Sequence, residues 1–406
     1  MQKQKNTPAI RFNGFTDPWE QRKLGEILEE YNEQCEKDGS YEHVSLTKEG
    51  VVPKTERYNR DSLVQHEDKK YRITHVDDIC YNPANLKFGV ICRNAYKDGI
   101  FSPIYVTFKV LHSYDPRFVE HYVKREAFIL GALRNQEGTV YERMAVKPAD
   151  LLRMDVWIPK KLEEKQIGAF LNQVDNLIAL HQRKCEHFKN VKKSMLEKMF
   201  PKDGETAPEI RFSGFTDPWE QRKLGELVSF SKGSGYSKAD LKEDGTPIVL
   251  YGRLYTQYET IISDVDTFAE AKPGSVYSKG GEVIVPASGE TAEDISVASV
   301  VGEPGILLGG DLNIISVPSG LDSAFLAISI SNGTPHKNMA RMAQGKSVVH
   351  LHNTDLEQID LLFPSYEEQV QISACFYGID KLITLHQRKY EKLVQIKQSM
   401  LDRMFV

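Results

Sequence analysis

The strongest pattern of apolar and polar positions lies in two segments that close the two halves of the chain. In residues 163–200, apolar side chains recur every seven residues, and the segment has no proline and a single glycine. Residues 366–405 repeat the pattern. A stripe held for about five heptads predicts a long helix that pairs with another helix. At 1.5 Å per residue, each helix should be roughly 55 Å long.

We expect these two helices to pair with each other in antiparallel orientation along the stripe. His181 and His386 occupy matching positions, and polar residues in such a seam cost stability but fix the register. Metal binding by the histidines is the alternative, but His386 has no second ligand three or four residues away. The predicted helix-pairing seam consists of Ile167, Val174, Leu177, His181, Phe188, Val191, Met195, Ile372, Ile379, Leu382, His386, Leu393, Ile396 and Met400.

The chain is an internal duplication. Residues 10–26 (IRFNGFTDPWEQRKLGE) and 210–226 differ only at Asn13 against Ser213, and VDNLIALHQRK of the first helix returns as IDKLITLHQRK in the second. The residues between these segments align only in fragments. We call the repeated segments the frame and the unlike residues between them the middles. We infer that the two copies of the frame bind the same partner surface, while the two middles bind different targets. Neutral drift is the alternative, but drift would not preserve one segment beside an unrecognisable neighbour.

We call residues 10–26 and 210–226 the FTDPWEQ segments. Thr16 or Asp17 can cap a helix that begins at Pro18, and the apolar side chains after it should enter a core. Those core residues are Trp19, Leu24, Trp219 and Leu224. The middles predict a mixture of helices and strands. Strands are expected at 104–110, 281–288, 312–317 and 346–351, and helices at 115–129 and 321–331.

Composition narrows the class of protein. The chain has 406 residues, a net charge of −5 and 40% hydrophobic residues, which predicts two to four globular domains. It has no apolar run of membrane-spanning length and no signal-peptide pattern, so we expect neither a membrane nor a secreted protein. Five scattered cysteines without a CxxC pair favour a reducing cytoplasm.

A search for catalytic motifs finds none that holds. Gln344–Ser347 (QGKS) lacks the earlier glycine of a phosphate loop, and Asn82–Asn85 (NPAN) lacks the aromatic residue of an aminomethyltransferase motif. His350 and His352 share a strand face but have no third ligand. We therefore expect a binding protein with no catalytic residue, no metal and no cofactor of its own.

At this point the chain resembles the specificity subunit of a type I restriction-modification enzyme. The resemblance covers nearly the whole chain and rests on the repeated PWEQRKLGE sequences and the repeated helices. Further marks are the Pro-x-x-x-Glu-x-Gln type helix starts at Pro159–Gln166 and Pro364–Gln369, with one extra residue in the first. The second middle also carries the family's GEVIVPASG and GKSVVHL sequences, at Gly281–Gly289 and Gly345–Leu351.

The resemblance implies an α+β fold with a pseudo-two-fold internal repeat, in which two long antiparallel helices separate two mixed α/β target-recognition domains. It implies an N-terminal segment (1–16), a first recognition domain (17–158), a central spacer helix (159–205), a second recognition domain with its repeated segment (206–363) and a C-terminal spacer helix (364–406). Each recognition domain would read one half of a bipartite double-stranded DNA target.

The partners implied by the resemblance are two methyltransferase (modification) subunits and the restriction (motor-nuclease) subunits. The assembled complex would be an adenine-N6 DNA methyltransferase and ATP-dependent endonuclease. S-adenosylmethionine, ATP and Mg would be bound by those partners, and this chain would be a non-catalytic subunit. A helix of roughly 55 Å would separate the two readers by between one and two DNA turns of about 34–36 Å.

Arginine and lysine can reach guanine edges, and asparagine and glutamine adenine edges, so polar, basic clusters in the middles are the candidates for DNA contact. In the first middle they are Lys54, Arg57, Tyr58, Arg60, Lys69, Lys70 and Arg72. In the second they are Tyr236, Ser237, Lys238, Arg253, Tyr255, Gln257, Tyr258, Lys337, Asn338, Arg341, Gln344 and Lys346. Each such residue is more often a solvated surface group than a base contact.

Charge argues against tight DNA binding by this chain alone. Residues 17–158 carry a net charge of −3 and residues 217–363 carry −9, whereas phosphate binding favours a basic surface. We expect the methyltransferase subunits to supply most of the phosphate contacts. The main alternative is a coiled-coil scaffold or adaptor that joins two protein-binding domains without any DNA role. A stand-alone restriction or methyltransferase enzyme is the weakest interpretation, because its nucleotide motifs are missing.

Overall fold

The computed structural model of the chain describes residues 6–36, 39–54, 70–134, 145–343 and 348–406. The chain forms two compact units. The first unit comprises residues 1–181 and 389–406, and the second comprises residues 182–388. Each unit therefore contains one of the divergent middles, one FTDPWEQ segment and a part of each long helix.

The chain from its start to the end of the first long helix contains strands and helices in alternation. They are β1 (Glu20–Lys23), β2 (Leu28–Tyr31), β3 (Gln34–Cys35), β4 (Glu42–Leu46), β5 (Val51–Pro53), β6 (Tyr71–Thr74), β7 (Ile79–Tyr81), β8 (Ile91–Arg93), β9 (Gly99–Phe101), β10 (Val106–Val110), α1 (Pro116–Val123), α2 (Glu126–Leu133), α3 (Pro148–Leu152), β11 (Asp155–Ile158) and α4 (Lys161–Lys198). The sheets have the orders β1-β11, β2-β10-β7-β8 and β3-β6-β9-β4-β5.

The second half of the chain follows a similar plan with different strands. Its elements are β12 (Glu220–Lys223), α5 (Leu224–Leu227), β13 (Ser229–Lys232), β14 (Leu241–Lys242), β15 (Thr246–Val249), α6 (Arg253–Thr256), β16 (Ile261–Ile262), β17 (Phe268–Ala269), β18 (Val283–Pro286), β19 (Ser288–Gly289), β20 (Ser299–Val301), β21 (Leu307–Leu308), β22 (Leu312–Ser316), α7 (Ser323–Ile330), α8 (Gly333–Met342), β23 (Val349–His350), α9 (Asn353–Glu357), β24 (Asp360–Phe363) and α10 (Tyr366–Arg403). The sheets have the orders β12-β24, β13-β22-β18-β20-β16, β14-β17-β15-β21 and β19-β23.

The helix predicted to begin at Pro18 is wrong, because the residues after it form a strand in both copies. In the first unit β1 pairs antiparallel with β11, and in the second β12 pairs with β24 in the matching register. The partner strand lies more than 130 residues away in sequence, so local capping signals did not reveal it. The core prediction is confirmed, since Trp19, Leu24, Trp219 and Leu224 are at most 3% exposed.

An aromatic cluster of three rings stands at the centre of each unit. In the first unit Trp19, Phe118 and Phe405 pack with ring centroids 5.4–6.0 Å apart. In the second unit Trp219, Phe325 and Phe200 pack at 5.7–5.8 Å. Phe405 follows α10 and Phe200 follows α4, so each core is closed by residues that follow the long helix of the other copy.

A buried ion pair joins each FTDPWEQ segment to the start of the long helix that follows its divergent middle. Arg11 donates from Nε and Nη2 to the two carboxylate oxygens of Glu163, at 2.8 and 2.6 Å. Arg211 makes the same bidentate pair with Glu368 at 2.9 and 2.6 Å. Both carboxylates are at most 2% exposed, so the charges are stabilised by each other rather than by water.

The two long helices pair in antiparallel orientation within the second unit. Cys185 lies against Gln387 and the ring of Phe188 stacks on that of His386, while Lys192 bonds to Asp380 at 2.6 Å. Residues later in α4 contact residues earlier in α10, as antiparallel pairing requires. Within the first unit Asp175 of α4 pairs with Lys397 of α10 at 2.5 Å. By the duplication, Asp175 and Lys397 are the counterparts of Asp380 and Lys192.

The seam prediction needs one correction. Leu177 and Leu382 are 44% and 39% exposed, whereas Leu171 and Cys185 are buried. After Val174 and Ile379, apolar residues occur both three and four positions on, and those at four positions are the less exposed. Leu177 and Leu382 therefore lie on the flank of the pair. Of the remaining predicted seam residues, Ile167, Val174, Ile372, Ile379 and His386 are buried, and Val191, Phe188, Met195, His181, Leu393, Ile396 and Met400 are half-buried.

Most elements predicted in the middles are confirmed. The expected strands contain β10, β18, β22 and β23, and the expected helices contain α1, α7 and the first turn of α2. Asp115 and Asp322 cap α1 and α7 by accepting bonds from backbone N–H groups of the first turn. The predicted fold class is confirmed as well, since the chain combines long helices with two sheet-rich domains.

Candidate nucleic-acid interface

In the second unit, the segments that precede two of the three candidate clusters both contact one turn, Leu308–Gly310. The backbone N–H of Ser234 donates to the carbonyl of Leu308 at 3.0 Å, and that of Gly309 donates to Val249 at 3.0 Å. A Cβ on Gly233 would lie 1.9 Å from the carbonyl oxygen of Gly309, so only glycine permits this approach. The loops that carry residues 236–238 and 253–258 are thereby held side by side.

The first of these clusters is partly used for structure. Tyr236 is buried, and its hydroxyl lies 2.5 Å from Ser275 Oγ and accepts a bond from the N–H of Lys272. Ser237 accepts a bond from the N–H of Ala239 at the start of a short 3-10 turn. Lys238 is exposed. DNA contact by these residues stays a prediction, and exposure favours Ser237 and Lys238 over the buried Tyr236.

The second cluster forms a braced segment, residues 253–260, which we call the readout segment. Arg253 pairs with Asp266 at 2.6 Å and with Glu259 at 3.0 Å, and it also donates to the carbonyl of Asp264. These contacts make Arg253 a brace for the segment. Gln257 and Tyr258 are exposed and Tyr255 is half-buried, so they remain available for the predicted DNA contact.

The third cluster lies on α8. Lys337 pairs with Asp203 of the segment that follows α4, at 3.3 Å, and the hydroxyl of Thr334 donates to the same carboxylate. Asn338 lines a cavity of about 240 Å³ beside that segment, and Arg341 is exposed. Gln344 and Lys346 lie outside the described residues. The structure therefore does not place this cluster with the readout segment.

In the first unit, few of the candidates fall on described residues. Arg57, Tyr58, Arg60 and Lys69 lie outside them. Lys70 is exposed and Lys54 is half-buried at the end of β5. Arg72 is 9% exposed in β6, where its side chain has little surface left for a ligand. DNA contact by Lys54, Lys70 and Arg72 stays a prediction.

The turn between β7 and β8 presents residues that sequence reasoning missed. Phe88 is 62% exposed, and the Lys87 ammonium lies 5.1 Å from the centroid of its ring. Gly89, with φ of +78°, ends this turn. An exposed aromatic ring beside a cation is a pairing that suits stacking on bases. A lysine–aromatic pair before a turn glycine was the available signal.

A polar cavity of about 790 Å³ lies in the first unit near the start of α4. Tyr31 donates to Asp78, and burial together with this contact raises the pKa of the Tyr31 hydroxyl. Burial also raises the pKa of the Asp78 carboxyl. His75 lies 2.8 Å from Asp98 and 3.2 Å from Glu33, and chiefly its bond to Asp98 raises the pKa of this imidazole.

The described part of the chain contains neither a cluster of metal ligands nor a membrane-spanning helix. The rings of His350 and His352 stack at 6.4 Å, but no group of three or more potential ligands among the described residues could hold a metal ion. Within the same residues, no helix has both the length and the apolar character needed to cross a membrane.

The surfaces that the two copies share are exposed as well as buried. Glu20, Gln21 and Arg22 of β1 are exposed, as are their counterparts Glu220, Gln221 and Arg222 of β12. On the long helices four leucines of the repeated sequence are 37–45% exposed. These leucines are Leu177, Leu180, Leu382 and Leu385. Folding of the chain does not explain why exposed residues of both kinds are the same in the two copies.

A chain with two sheet-rich units, a repeated frame and paired long helices defines a class of protein in which one frame carries two unlike modules. Residues 216–395 match the family model described as type I restriction modification DNA specificity domain. The match covers most of the second recognition domain and most of α10.

Two curated relatives come from Methanocaldococcus jannaschii. The MjaVIII specificity subunit of a type I restriction enzyme is 23% identical over 60% of this chain and 60% of its own length. A putative MjaX specificity subunit is 21% identical over 98% of this chain and 96% of its own. Among solved structures, the type I restriction-modification S subunit of M. genitalium matches with a TM-score of 0.64 and 14% identity, covering 98% and 99% of the two chains. The resemblance to type I specificity subunits is thereby confirmed.

Proposed function

We propose that this chain is the DNA specificity subunit of a type I restriction-modification complex. Each recognition domain reads one half of a bipartite DNA target, and the long helices set the spacing between the halves. The frame docks two methyltransferase subunits, and restriction subunits join the complex. The chain itself performs no chemistry, and S-adenosylmethionine, ATP and Mg bind to the partners.

The observation that carries this proposal is the contrast between frame and middles. The aromatic cluster, the Arg11–Glu163 type ion pair and the Asp175–Lys397 type ion pair each occur in both units. The sheets attached to them differ in strand number and order. One frame with two unlike modules fits a protein that presents two identical partners to two different half-sites.

The β1 and β12 surfaces support docking of those partners. Glu20, Gln21 and Arg22 face solvent, and identical residues face solvent in the second copy. A surface that is repeated without being needed for packing fits a partner that binds twice. We assign it to the methyltransferase subunit, since a complex with two such subunits supplies two copies of one complementary surface.

The exposed leucines of the helices support a second part of the same docking surface. Leu177 and Leu180 are three residues apart and so lie on one face of α4, and Leu382 and Leu385 repeat this arrangement on α10. An apolar pair at this spacing fits an amphipathic helix of the partner. The apolar flank would then be covered in the assembled complex.

Helix length supports the role in spacing. Both α4 and α10 have 38 residues, which is about 57 Å at 1.5 Å per residue. One turn of DNA takes about 34–36 Å. A bipartite target whose halves lie between one and two turns apart fits helices of this length.

Charge limits what the chain does alone. The net charge of −9 on residues 217–363 opposes phosphate binding, so the isolated chain should bind its target weakly and gain affinity strongly with the methyltransferase subunit. A gel-shift titration with and without that partner measures this gain. Equal affinity in the two titrations would contradict the proposal that the partner supplies the phosphate contacts.

The decisive experiment is to map methylated adenines in a host that carries this chain with its modification subunit. A bipartite methylated sequence is expected. Exchanging residues 27–158 for those of another specificity subunit should change one half of that sequence and leave the other half intact. The adaptor alternative predicts no sequence-specific methylation and no change in methylation after the exchange. Under that alternative the chain would still pair its long helices and bind its protein partners.

A further inference from the structure

Asp380 of α10 lies at a junction of three elements in the second unit. One carboxylate oxygen accepts a bond from Lys192 of α4 at 2.6 Å. The other accepts a bond from the hydroxyl of Thr260 at 2.9 Å. Thr260 is the last residue of the readout segment. A single side chain thus joins the pairing of the two helices to the loop that carries the candidate readers Tyr255, Gln257 and Tyr258.

The contacts around this junction fix the readout segment from both ends. Thr260 is 5% exposed, and its carbonyl accepts a bond from the N–H of Val300 at 2.9 Å, so its backbone is tied to β20 while its hydroxyl is tied to α10. The Lys192 ammonium lies 5.8 Å from the ring centroid of Tyr258. At the other end Arg253 holds Glu259 and Asp266. Movement of α10 along α4 would therefore move Thr260.

The first unit provides the comparison. Asp175 and Lys397 repeat the ion pair at 2.5 Å, but among the described residues no recognition-domain side chain bonds to Asp175. The ion pair is a property of the frame, whereas the Thr260 contact belongs to the second recognition domain alone. The chain thus contains two versions of one ion pair, of which one reaches a readout loop.

We propose that Asp380 couples the pairing of the long helices to the position of the readout segment, with Thr260 as a positioning residue for reading the second half-site. This inference rests on the proposed function and adds a regulated step to it: a partner that shifts the helix pair changes how the second half-site is read. The first half-site is independent of this junction.

The test uses the full chain in complex with its methyltransferase subunit. Thr260→Val keeps the β-branched shape and removes the hydroxyl, and Thr260→Ser keeps the hydroxyl. A hydrogen bond to a charged group that is lost in this way corresponds to about a tenfold effect. We expect Thr260→Val to lower discrimination against substitutions in the second half-site about tenfold, to leave the first half-site unchanged, and to be rescued by Thr260→Ser.

A matched pair of frame variants separates coupling from helix stability. Asp380→Asn and Asp175→Asn weaken the same ion pair in the two units. Hydrogen exchange without DNA should become faster in residues 257–262 for Asp380→Asn and Thr260→Val, and should stay unchanged there for Asp175→Asn. Equal exchange in all variants would overturn the coupling.

The two proposals fail in different ways. If the wild-type complex methylates no bipartite sequence, the proposed function fails, whatever the exchange data show. If the wild type reads both half-sites and Thr260→Val reads both equally well, the function stands and the positioning role of Thr260 is refuted. Loss of reading at both half-sites in Thr260→Val, with rescue by serine, would also refute a role confined to the second half.

Discussion

Glu164 is a buried carboxyl at a position where the second copy has an amide. Its Oε2 accepts a bond from the N–H of Asp115 at 2.7 Å, and the residue is 1% exposed. In the second unit Gln369 Oε1 accepts from the N–H of Asp322 at 2.9 Å, and its Nε2 donates to the carbonyl of Pro364. Glu164→Gln therefore keeps the acceptor and supplies a donor toward Pro159, the counterpart of Pro364.

The pKa of Glu164 sets the magnitude and sign of the effect. Burial raises this pKa from 4.5 to about 7, and the neighbouring Asp115 carboxylate adds to the rise. The folded state then binds the proton more tightly than the unfolded state, so stability falls as pH rises from 4.5 to about 7 and stays low above it. At 1.36 kcal/mol per pKa unit, the deficit is about 3 kcal/mol at pH 8 and about 1 kcal/mol at pH 5.

We therefore expect Glu164→Gln to stabilise the first unit more at pH 8 than at pH 5. The assay is hydrogen exchange of the α1 peptide, residues 116–123, in the wild type and the variant at both pH values. Gln369→Glu is the matched control and should destabilise α7 at pH 8. An equal gain at the two pH values, or no gain at pH 8, would show that Glu164 is not held as an uncompensated buried carboxyl.

Three further predictions follow from contacts within single units. Arg11→Ala leaves the Glu163 carboxylate buried without its partner and should lower the free energy of unfolding in urea by about 3–5 kcal/mol. Arg211→Ala should have the same effect through Glu368. A loss below about 1 kcal/mol would contradict the buried pairing. A circular permutant would start at residue 206 and join residue 406 to residue 6 through a linker with the sequence of residues 201–205. It should fold, because the N–H of Ile10 donates to the carbonyl of Arg403 just as the N–H of Ile210 donates to the carbonyl of Lys198. Matching circular dichroism melts test it, and loss of helix would refute it. His75→Ala should destabilise the first unit more at pH 6 than at pH 9. The raised pKa of the imidazole contributes stability below pH 6.5, and this contribution is lost as pH rises through the folded-state pKa. A loss of stability in thermal melts that does not depend on pH would contradict this.

The sequence predicted the frame well because its signals are periodic or repeated. Trp19 and Leu24 stand out since they return two hundred residues later, and the long helices show their stripe directly. The choice between the rows three and four positions on was not decided by the pattern, since both rows contain leucines. Only the packing of the first unit's core places Leu171 inward, while Leu177 stays exposed.

The DNA contacts of the candidate interface stay predictions, for a different physical reason. Polar residues in a loop look alike in sequence whether they face solvent or brace the fold. Arg253 and Lys337 are of residue types that often contact DNA, yet both pair with carboxylates of this chain. Arg253 pairs with Glu259 and Asp266, and Lys337 pairs with Asp203. The Thr260–Asp380 bond spans 120 residues and has no sequence signature.

The way each core is closed changes what the duplication means. Phe405 packs on Trp19 and Phe200 packs on Trp219, so each FTDPWEQ segment must fit the end of the helix from the other copy. A substitution around Trp19 or Trp219 would have to be compensated by the phenylalanine that follows the long helix of the other copy. This packing requirement is enough to keep the buried residues identical in the two copies. It cannot preserve the exposed Glu20, Gln21 and Arg22, whose side chains lie outside that packing. The case for a partner that binds twice therefore depends on those exposed residues. Charge-reversing changes at Glu20 and Arg22, together with Glu220 and Arg222 of the second copy, should abolish methyltransferase binding while leaving the unfolding curve of the free chain in place.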